Sequence, residues 1–159
     1  MRSIGAAERA IELFAKRGLS RTAFGKPIAM LGKNVETIAR ARMEIESMRM
    51  MVLKAAKAMD VLGNAKARVW VSGVKALLPE RVCKIIDEAL QVHGATGVSH
   101  WTTLADMYAG QRTLRLADGP DEVHWFVVGR AELAYWSDQG ARDYSPKENF
   151  LKEQRCSGP

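Results

Sequence analysis

The chain has 159 residues, of which 47% are hydrophobic and 26% charged, and its formal net charge is +6 at pH 7. This length suits one domain with a single core, and this composition excludes an intrinsically disordered or fibrous chain. The 24 basic residues are scattered along the sequence, with no run of about five or more like charges, so a solvated surface is favoured over a nucleic-acid-binding stripe.

Cysteine usage and hydropathy exclude several further classes of protein. Cys83 and Cys156 stand far apart and match neither a CxxC motif nor a disulfide framework, which favours a reducing intracellular compartment. No segment approaches the roughly 20 apolar residues of a membrane span. The histidines lack the spacing and the neighbouring acids of a metal site, so we expect no metal. They are His93, His100 and His124.

The chain opens with a helical pattern. Apolar residues recur at helical spacing from about residue 2 to Arg17, and Gly18 stands where a glycine commonly follows a helix end. The next segment, LSRTAFGKPIA, is predicted to be a loop, because Gly25 and Pro27 interrupt helical continuation.

Two long helices are predicted to follow. Residues 34–62 carry a broad apolar face rich in methionine, which is typical of core and interface packing. The sequence LGN then ends this helix, and residues 65–92 carry a second long apolar pattern. Pro79 lies inside that pattern, so we expect it to kink the helix or split it in two.

The last third contains shorter elements. The sequence HGATG predicts a glycine turn, residues 102–115 a short helix, and Asp118 to about Trp136 a final helix. Residues 138–159 are polar and without pattern, and we expect a flexible tail outside a helical domain of residues 1–137.

Long amphipathic helices joined by short loops predict an all-α fold, an antiparallel up-and-down bundle of the four-helix type. No alternating strand pattern competes with this interpretation. The apolar faces of the two long helices exceed what one bundle of this length can cover. We therefore expect a homodimer or a homotetramer.

Two loop motifs are ambiguous when taken alone. In SRTAFGKPI the pattern favours a surface arginine at position 21 and a buried aromatic at Phe24, while the alternative is an arginine fork that binds phosphate. In QVHGATG a helix-terminating turn is favoured, and a dinucleotide-binding loop is not, because no strand precedes it and the GxGxxG spacing is missing.

A third motif, LADGPDEVH, raises the question of what Asp118 does. As a helix cap it precedes Asp121 and Glu122, two acids that suit the positive end of a helix dipole. As a catalytic carboxylate it needs a substrate proton to remove. The local sequence alone favours the cap.

Taken together, RTAFGKPI, QVHGATGV and LADGPDEVH, in that order and separated by long helices, resemble the C-terminal helical domain of the flavin-dependent acyl-CoA dehydrogenases. Within that family the sequence is most similar to the branch called family members 10 and 11, in which ADGPDEVH replaces the commoner YEGT. The resemblance covers about residues 2 to 137. Each motif is loose alone, and the ordered set is specific.

The resemblance implies cofactor contacts at two places. Arg21 and Phe24 are expected at a subunit interface, where they reach the FAD of a neighbouring protomer, Arg21 on its pyrophosphate. The adenosine half of that FAD is expected to contact Gln91 and the turn at Gly94 and Ala95.

The resemblance also implies a catalytic role for the third motif. Asp118 takes the position of the carboxylate that removes the proton alpha to the thioester carbonyl. Gly119 is expected against the acyl chain. Arg130, further along the same predicted helix, is expected to contact the coenzyme A portion of the substrate. Three residues are expected against the flavin, namely Pro120, Asp121 and Glu122.

The implied reaction is the alpha,beta-desaturation of a fatty acyl-CoA, with FAD as hydride acceptor and electron-transfer flavoprotein or oxygen as the next acceptor. Three departures from the family pattern stand out: Asp118 replaces the usual glutamate, Ala95 replaces a second glycine, and Gly32 replaces a frequent glutamine. The family also has an N-terminal helical domain and a middle β-domain that this sequence lacks, so we expect the isolated chain to be inactive. The alternative is a helical oligomerisation or interaction module without catalysis.

Overall fold

A computed structural model describes residues 1–141 and 144–146 of the chain. Helices dominate the described residues, and the predicted all-α bundle is confirmed. The helices are α1 (Arg2–Ser20), α2 (Asn34–His93), α3 (Leu104–Leu114) and α4 (Asp121–Asp138). Short elements connect them, namely the strands β1 (Thr22–Ala23) and β2 (Lys26–Pro27) and the 3-10 turns Ile28–Met30 and Gly94–Thr96.

Helix α2 folds back on itself at Gly63, whose φ of 74° and ψ of 170° are not helical. This backbone region is open almost only to glycine. Residues 34–62 form the first arm and residues 64–93 the second arm of an antiparallel helical hairpin. Side-chain pairs join the two arms along their length: Lys54 over the Trp70 ring at 3.8 Å, Glu44 with Arg81 at 2.6 Å, and Lys33 with Glu88 at 2.9 Å. The two long helices predicted from the sequence are therefore confirmed, with a single residue between them.

The core lies where α1 covers both arms of α2. The apolar stripe of α1 is buried as its spacing predicts, and it packs against apolar side chains of both arms and against Leu104 of α3. Burial of each large aliphatic side chain contributes about 1.5–3 kcal/mol. The largest fully buried side chains are Ile45, Met48, Val82, Ile86 and Leu104.

The structure bears on two expectations about helix breakers, and the expectation that Gly18 follows the end of α1 is wrong. Gly18 lies inside α1 and is buried. A Cβ at this position would come within 2.9 Å of the Ala29 Cβ, so no larger residue fits without a shift. The glycine thus permits close packing, and α1 continues to Ser20. Pro79 does not split α2, since Gly63 is the residue with non-helical dihedral angles inside that helix. The kink expected at Pro79 stays a prediction.

The loop after α1 contains a minimal β-hairpin. Thr22 pairs with Pro27 and Ala23 with Lys26, while Phe24 and Gly25 have φ values of 51° and 74°. Positive φ at both central residues is the geometry of a type I′ turn. Strands of two residues are too short to produce an alternating pattern, so sequence periodicity could not reveal them.

Helix α4 packs on the second arm of α2 and leaves much of its own surface uncovered. Asp121 is its one buried residue, and large apolar side chains of α4 face outward. They are Val123, Trp125, Phe126, Leu133, Tyr135 and Trp136. Within the described part of the chain, none of the helices combines the length and the apolar character needed to cross a membrane. Most of the tail expected over residues 138–159 lies outside the described residues.

Candidate functional site

The turn between α3 and α4 has an unusual backbone. Asp118 has a φ of 56° and Gly119 a φ of 97°. Left-handed conformations are uncommon in residues with a side chain, although aspartate tolerates them better than most. Two successive residues with positive φ turn the chain sharply, so that the Asp118 side chain lies on the outside of the turn and is exposed.

The prediction that the last helix begins at Asp118 is wrong. Helix α4 begins at Asp121, and its N-cap is Pro120, with extended backbone and no capping side chain. The left-handed backbone of Asp118 breaks the helical path before the cap position. Asp121 and Glu122 do lie in the first turn of α4, where negative charge complements the helix dipole. Asp118 is therefore not a helix cap.

Asp121 closes the turn from within. Its backbone N–H donates to the Arg115 carbonyl oxygen at 3.1 Å, and its carboxylate accepts a hydrogen bond from Arg115 Nε at 2.6 Å. The side chain of Asp121 is only 8% exposed. This bond to Asp121 raises the pKa of Arg115 above its ordinary value. The carboxylate of Asp121 thus has a structural partner in Arg115. If Asp121 contacts a flavin, as the sequence predicts, its backbone is the part left to do so.

Two further side chains hold the turn by its carbonyl groups. Lys75, on the second arm of α2, donates from Nζ to the Gly119 carbonyl oxygen at 2.5 Å, and its Nζ lies 3.9 Å from Asp121 Oδ1. His124, in the first turns of α4, lies with Nε2 at 3.1 Å from the Asp118 carbonyl oxygen. Because a carbonyl oxygen only accepts, His124 Nε2 carries the proton. The turn is therefore held both by α2 and by α4.

The outer surface of the turn offers two carboxylates, those of Asp118 and Glu122, that have no hydrogen-bond or ion-pair partner among the described residues. Within residues 1–141 and 144–146, no side chain or backbone group is hydrogen-bonded to the Asp118 carboxylate. Pro120 and Glu122 beside it are exposed, and Gly119 is half-buried. A Cβ at Gly119 would lie 3.3 Å from His124 Nε2. The glycine thus keeps the backbone close to the imidazole.

Further along α4, Arg130 lies on the exposed surface with its guanidinium 5.6 Å from the centre of the Phe126 ring. It lines a groove between α4 and the second arm of α2. Arg68 on that arm lines the same groove. The groove therefore combines an apolar floor with two cationic side chains.

The remaining site residues predicted from the sequence lie at the other end of the second arm. Gly94 ends α2 with a φ of 63°, and no atom would meet a Cβ there. Gln91 and Ala95 are exposed beside it. The loop that follows the β-hairpin is tied to this end by the Lys33–Glu88 ion pair. The structure thus gathers these residues at one end of the bundle.

The hairpin presents its two predicted residues to solvent. Arg21, at the C-cap of α1, is exposed, and the Phe24 side chain is 95% exposed at the tip of the I′ turn. The expectation of a buried aromatic at position 24 is therefore wrong, because the two-residue turn lifts the ring off the bundle. A positive φ is uncommon in a residue with a bulky side chain.

The two groups of predicted residues are far apart in one protomer. On the second arm of α2, Lys75 is the residue that contacts the Asp118 turn, and His93 is the last residue of the arm. At a rise of 1.5 Å per residue the two are roughly 27 Å apart. One group contains Arg21, Phe24, Gln91, Gly94 and Ala95, and the other contains Asp118, Gly119, Pro120, Asp121, Glu122 and Arg130.

Sequence reasoning missed the structural role of the side chains that fix the Asp118 turn. Arg115 and Asp121 carried a weak signal, since they flank a Gly-Pro turn with opposite charges. Lys75 gave no signal, because its contact with Gly119 joins residues 44 positions apart. Among the described residues no group of three His, Cys, Asp or Glu side chains is placed to hold a metal ion.

Comparison with known proteins gives a consistent answer. Residues 1–133 match the family model described as "Acyl-CoA dehydrogenase, C-terminal domain". A probable acyl-CoA dehydrogenase of Arabidopsis thaliana is 52% identical over 133 residues, which are 84% of this chain and 16% of that protein. Acyl-CoA dehydrogenase family member 11 of Rattus norvegicus is 48% identical over 133 residues, 84% of this chain and 17% of that protein.

A solved structure gives the same result at the level of the fold. A candidate acyl-CoA dehydrogenase of Mycobacterium abscessus superposes with a TM-score of 0.84 and is 49% identical, over 86% of this chain and 33% of that one. The chain thus spans between about a sixth and a third of the length of these relatives.

Proposed function

Since the chain belongs to the acyl-CoA dehydrogenase family, as a C-terminal domain of that family, we propose that it supplies the catalytic base and part of the FAD site of such an enzyme. The reaction is the alpha,beta-desaturation of a fatty acyl-CoA thioester. Asp118 is the base, and the turn from Arg115 to Glu122 is the part of the active site that this chain provides.

The observation that carries this proposal is the state of Asp118. Its backbone is held in a left-handed conformation by side chains from two helices, while its carboxylate has no partner among the described residues. Strained conformations persist where the surrounding structure enforces them, and they cluster at active sites. A fixed backbone under a free carboxylate is what a general base requires.

The residues around Asp118 divide the remaining tasks. The carboxylate removes the proton alpha to the thioester carbonyl, a step that a solvated carboxylate performs poorly, so water must be excluded when substrate binds. Gly119 lets an acyl chain approach the backbone. FAD, when bound, supplies the acceptor for the hydride that leaves the beta carbon. The groove with Arg68 and Arg130 suits the phosphates of coenzyme A.

The exposed residues at the far end fit a cofactor that belongs to another protomer. Arg21 has no acidic partner among the described residues, and open space surrounds Gly94. Pyrophosphate suits an arginine guanidinium, and the Gln91 amide and the Gly94–Ala95 backbone suit an adenosine. A set roughly 27 Å from the Asp118 turn cannot surround the same isoalloxazine ring. This separation supports the assignment of Arg21 and Phe24 to the FAD of a neighbouring chain.

That assignment requires assembly of two or more chains. The uncovered apolar surface of α4 and of the first arm of α2 supports a homodimer or homotetramer, because contiguous exposed apolar surface marks interaction sites. Electron-transfer flavoprotein or oxygen then accepts electrons from the reduced enzyme. The second candidate, an inactive oligomerisation module, is favoured by one observation, the replacement of glutamate by the shorter Asp118.

The experiment that separates the two candidates is a chimera, in which residues 1–137 of this chain replace the matching C-terminal residues of a full-length relative. We expect addition of acyl-CoA to bleach its flavin absorbance, and we expect Asp118→Asn to abolish bleaching. The matched control is Asp60→Asn, which removes an exposed carboxylate and should bleach as the parent does. A chimera that binds FAD without bleaching supports the inactive module, and an Asp118→Asn protein that bleaches at the parental rate excludes Asp118 as base.

A further inference from the structure

We propose that Lys75 is the positioning residue for Asp118: from the second arm of α2 it holds the 118–121 turn in the conformation that places the carboxylate. This inference rests on the proposed role of Asp118 as base. It concerns a different residue, on a different helix, that does not itself touch substrate.

The position of the Asp118 carboxylate depends on two backbone torsions. Positive φ at Asp118 and at Gly119 sets the direction in which the side chain leaves the turn. An aspartate in this region relaxes to a right-handed conformation unless neighbouring groups prevent it. The groups that prevent it therefore determine where the carboxylate lies.

In the part of the chain that the structure describes, three side chains donate hydrogen bonds to this turn, and two of them come from residues next to it in sequence. Arg115 precedes the turn and His124 follows it, so both are its neighbours in sequence. Lys75 differs, because its hydrogen bond to the Gly119 carbonyl oxygen spans 44 positions of sequence. It ties the turn directly to the second arm of α2.

The surroundings of Lys75 fit a fixed cation. Its side chain is 20% exposed, and its Nζ lies 3.9 Å from Asp121 Oδ1, a buried carboxylate oxygen that has no hydrogen-bond donor among the described residues. The ammonium thus donates a hydrogen bond to the Gly119 carbonyl oxygen and forms a longer ion pair with the Asp121 carboxylate. Removing the ammonium leaves the Gly119 carbonyl without its donor and Asp121 with Arg115 alone.

The shorter side chain of Asp118 makes this constraint more important. A base that is one methylene shorter than glutamate reaches less far, so its backbone must lie closer to the substrate. Misplacement by about 1 Å can cost on the order of a hundredfold in rate. Lys75 therefore acts on the rate through Asp118.

The test compares Lys75→Met with Lys84→Met as matched control. Lys84 lies on the same arm and pairs with Glu80 within its own helix, so both variants lose one ammonium from one helix. In this 159-residue chain, the scalar coupling between the amide and alpha protons of Asp118, together with the distance between these two protons, reports its φ. We expect Lys75→Met to lose the positive-φ signature and Lys84→Met to keep it.

In the chimera described above, we expect Lys75→Met to lower kcat by about tenfold to a hundredfold with a much smaller change in KM. Lys75→Arg, which keeps a cation with several donors, should recover part of kcat. Lys75→Gln keeps an N–H donor without charge. If Lys75→Met does not fold, as judged by circular dichroism, Lys75→Gln decides the question by the same two measurements, with an intermediate loss expected.

Parental coupling at Asp118 together with parental kcat in a folded Lys75→Met or Lys75→Gln protein would overturn the proposal. Failure of the proposed function gives a different result. In that case Asp118→Asn retains full activity, while the coupling measured in the isolated chain still decides whether Lys75 holds the turn.

Discussion

Asp118 and Asp121 lie three residues apart in opposite environments. Asp121 is 6% exposed and paired with Arg115 at 2.6 Å, whereas Asp118 is exposed, left-handed and without a partner for its carboxylate in the described part of the chain. The same side-chain chemistry thus serves two purposes in one turn. Asp121 stabilises the turn through its ion pair with Arg115, and the turn exposes the Asp118 side chain to solvent.

The stability of Asp118 variants tests whether its backbone or its side chain matters to the fold. Asn also tolerates the left-handed region, so we expect Asp118→Asn to unfold at the parental urea concentration. Asp118→Gly should be as stable as the parent or more so, and Asp118→Ala should lose about 1 kcal/mol. An alanine variant as stable as the parent contradicts the strained φ of Asp118.

Arg21 tests the cofactor surface in the isolated chain. We expect these 159 residues alone to bind FAD weakly, because they span only a sixth to a third of the length of their relatives. We expect Arg21→Ala to weaken binding further by removing the proposed pyrophosphate contact. Titration followed by flavin fluorescence measures both. Arg40→Ala is the matched control, since Arg40 is exposed and pairs with Glu36 on its own helix. An equal loss of FAD affinity in the two variants would indicate a general effect of net charge and would contradict a specific contact of Arg21.

Assembly tests the uncovered surface of α4. Leu133 is 72% exposed in the single chain, and its neighbours on α4 include several exposed aromatic side chains. We expect a homodimer or homotetramer at micromolar concentration, and we expect Leu133→Glu to shift it towards monomer by placing a charge in the interface. Light scattering that gives a monomer for the parent chain contradicts this prediction.

Glu8 provides a prediction about pH. A hydrogen bond from Arg42, aided by the charges of Arg42 and Arg49, holds the pKa of Glu8 below its usual 4.5. A lowered carboxyl pKa stabilises the folded state above the unfolded-state pKa, and this stabilisation is lost as the pH falls through the folded-state value. Since about a third of the Glu8 side chain is exposed, at 34%, solvent screening reduces the effect.

We therefore expect Glu8→Gln to cost about 0.5–1 kcal/mol at pH 7. The difference from the parent should shrink as the pH is lowered below about 4.5. Thermal unfolding at a series of pH values measures it. The control, Glu36→Gln, breaks an exposed pair within one helix and should change stability by only a few tenths of a kcal/mol. A constant Glu8→Gln difference at all pH values contradicts the linkage.

Alanine substitution at two glycines compares the effect of a steric clash on stability with the effect of helix propensity. A Cβ at Gly97 would lie 2.7 Å from the Leu90 carbonyl oxygen and 3.0 Å from the His93 Cβ, so Gly97→Ala should cost about 1–3 kcal/mol. Gly110 lies within α3 with open space around it. Gly110→Ala should gain about 0.5–1 kcal/mol. Urea unfolding of both variants measures the contrast, and equal signs would contradict it.

The sequence predicted those features that depend on local order. Helical periodicity placed the long helices because each buries a stripe of its own residues, as α1 does with Ile4 and Phe14. It misjudged Gly18, since a glycine near a helix end looks like a terminator, and only the contact with Ala29 reveals its use. The support of Asp118 by Lys75 could not be predicted for the same reason, because the contact exists only after α2 and α4 have packed.

The single-residue reversal at Gly63 also orders the events of folding. Pairs between the two arms lie at growing distances along the chain, from Lys54 with Trp70, through Glu44 with Arg81 at a separation of 37, to Lys33 with Glu88 at a separation of 55. Closing a short loop costs less entropy than closing a long one. We therefore expect the hairpin to form outward from Gly63 and to close last at the end that carries Gln91 and Gly94, so that Gly63 nucleates the domain.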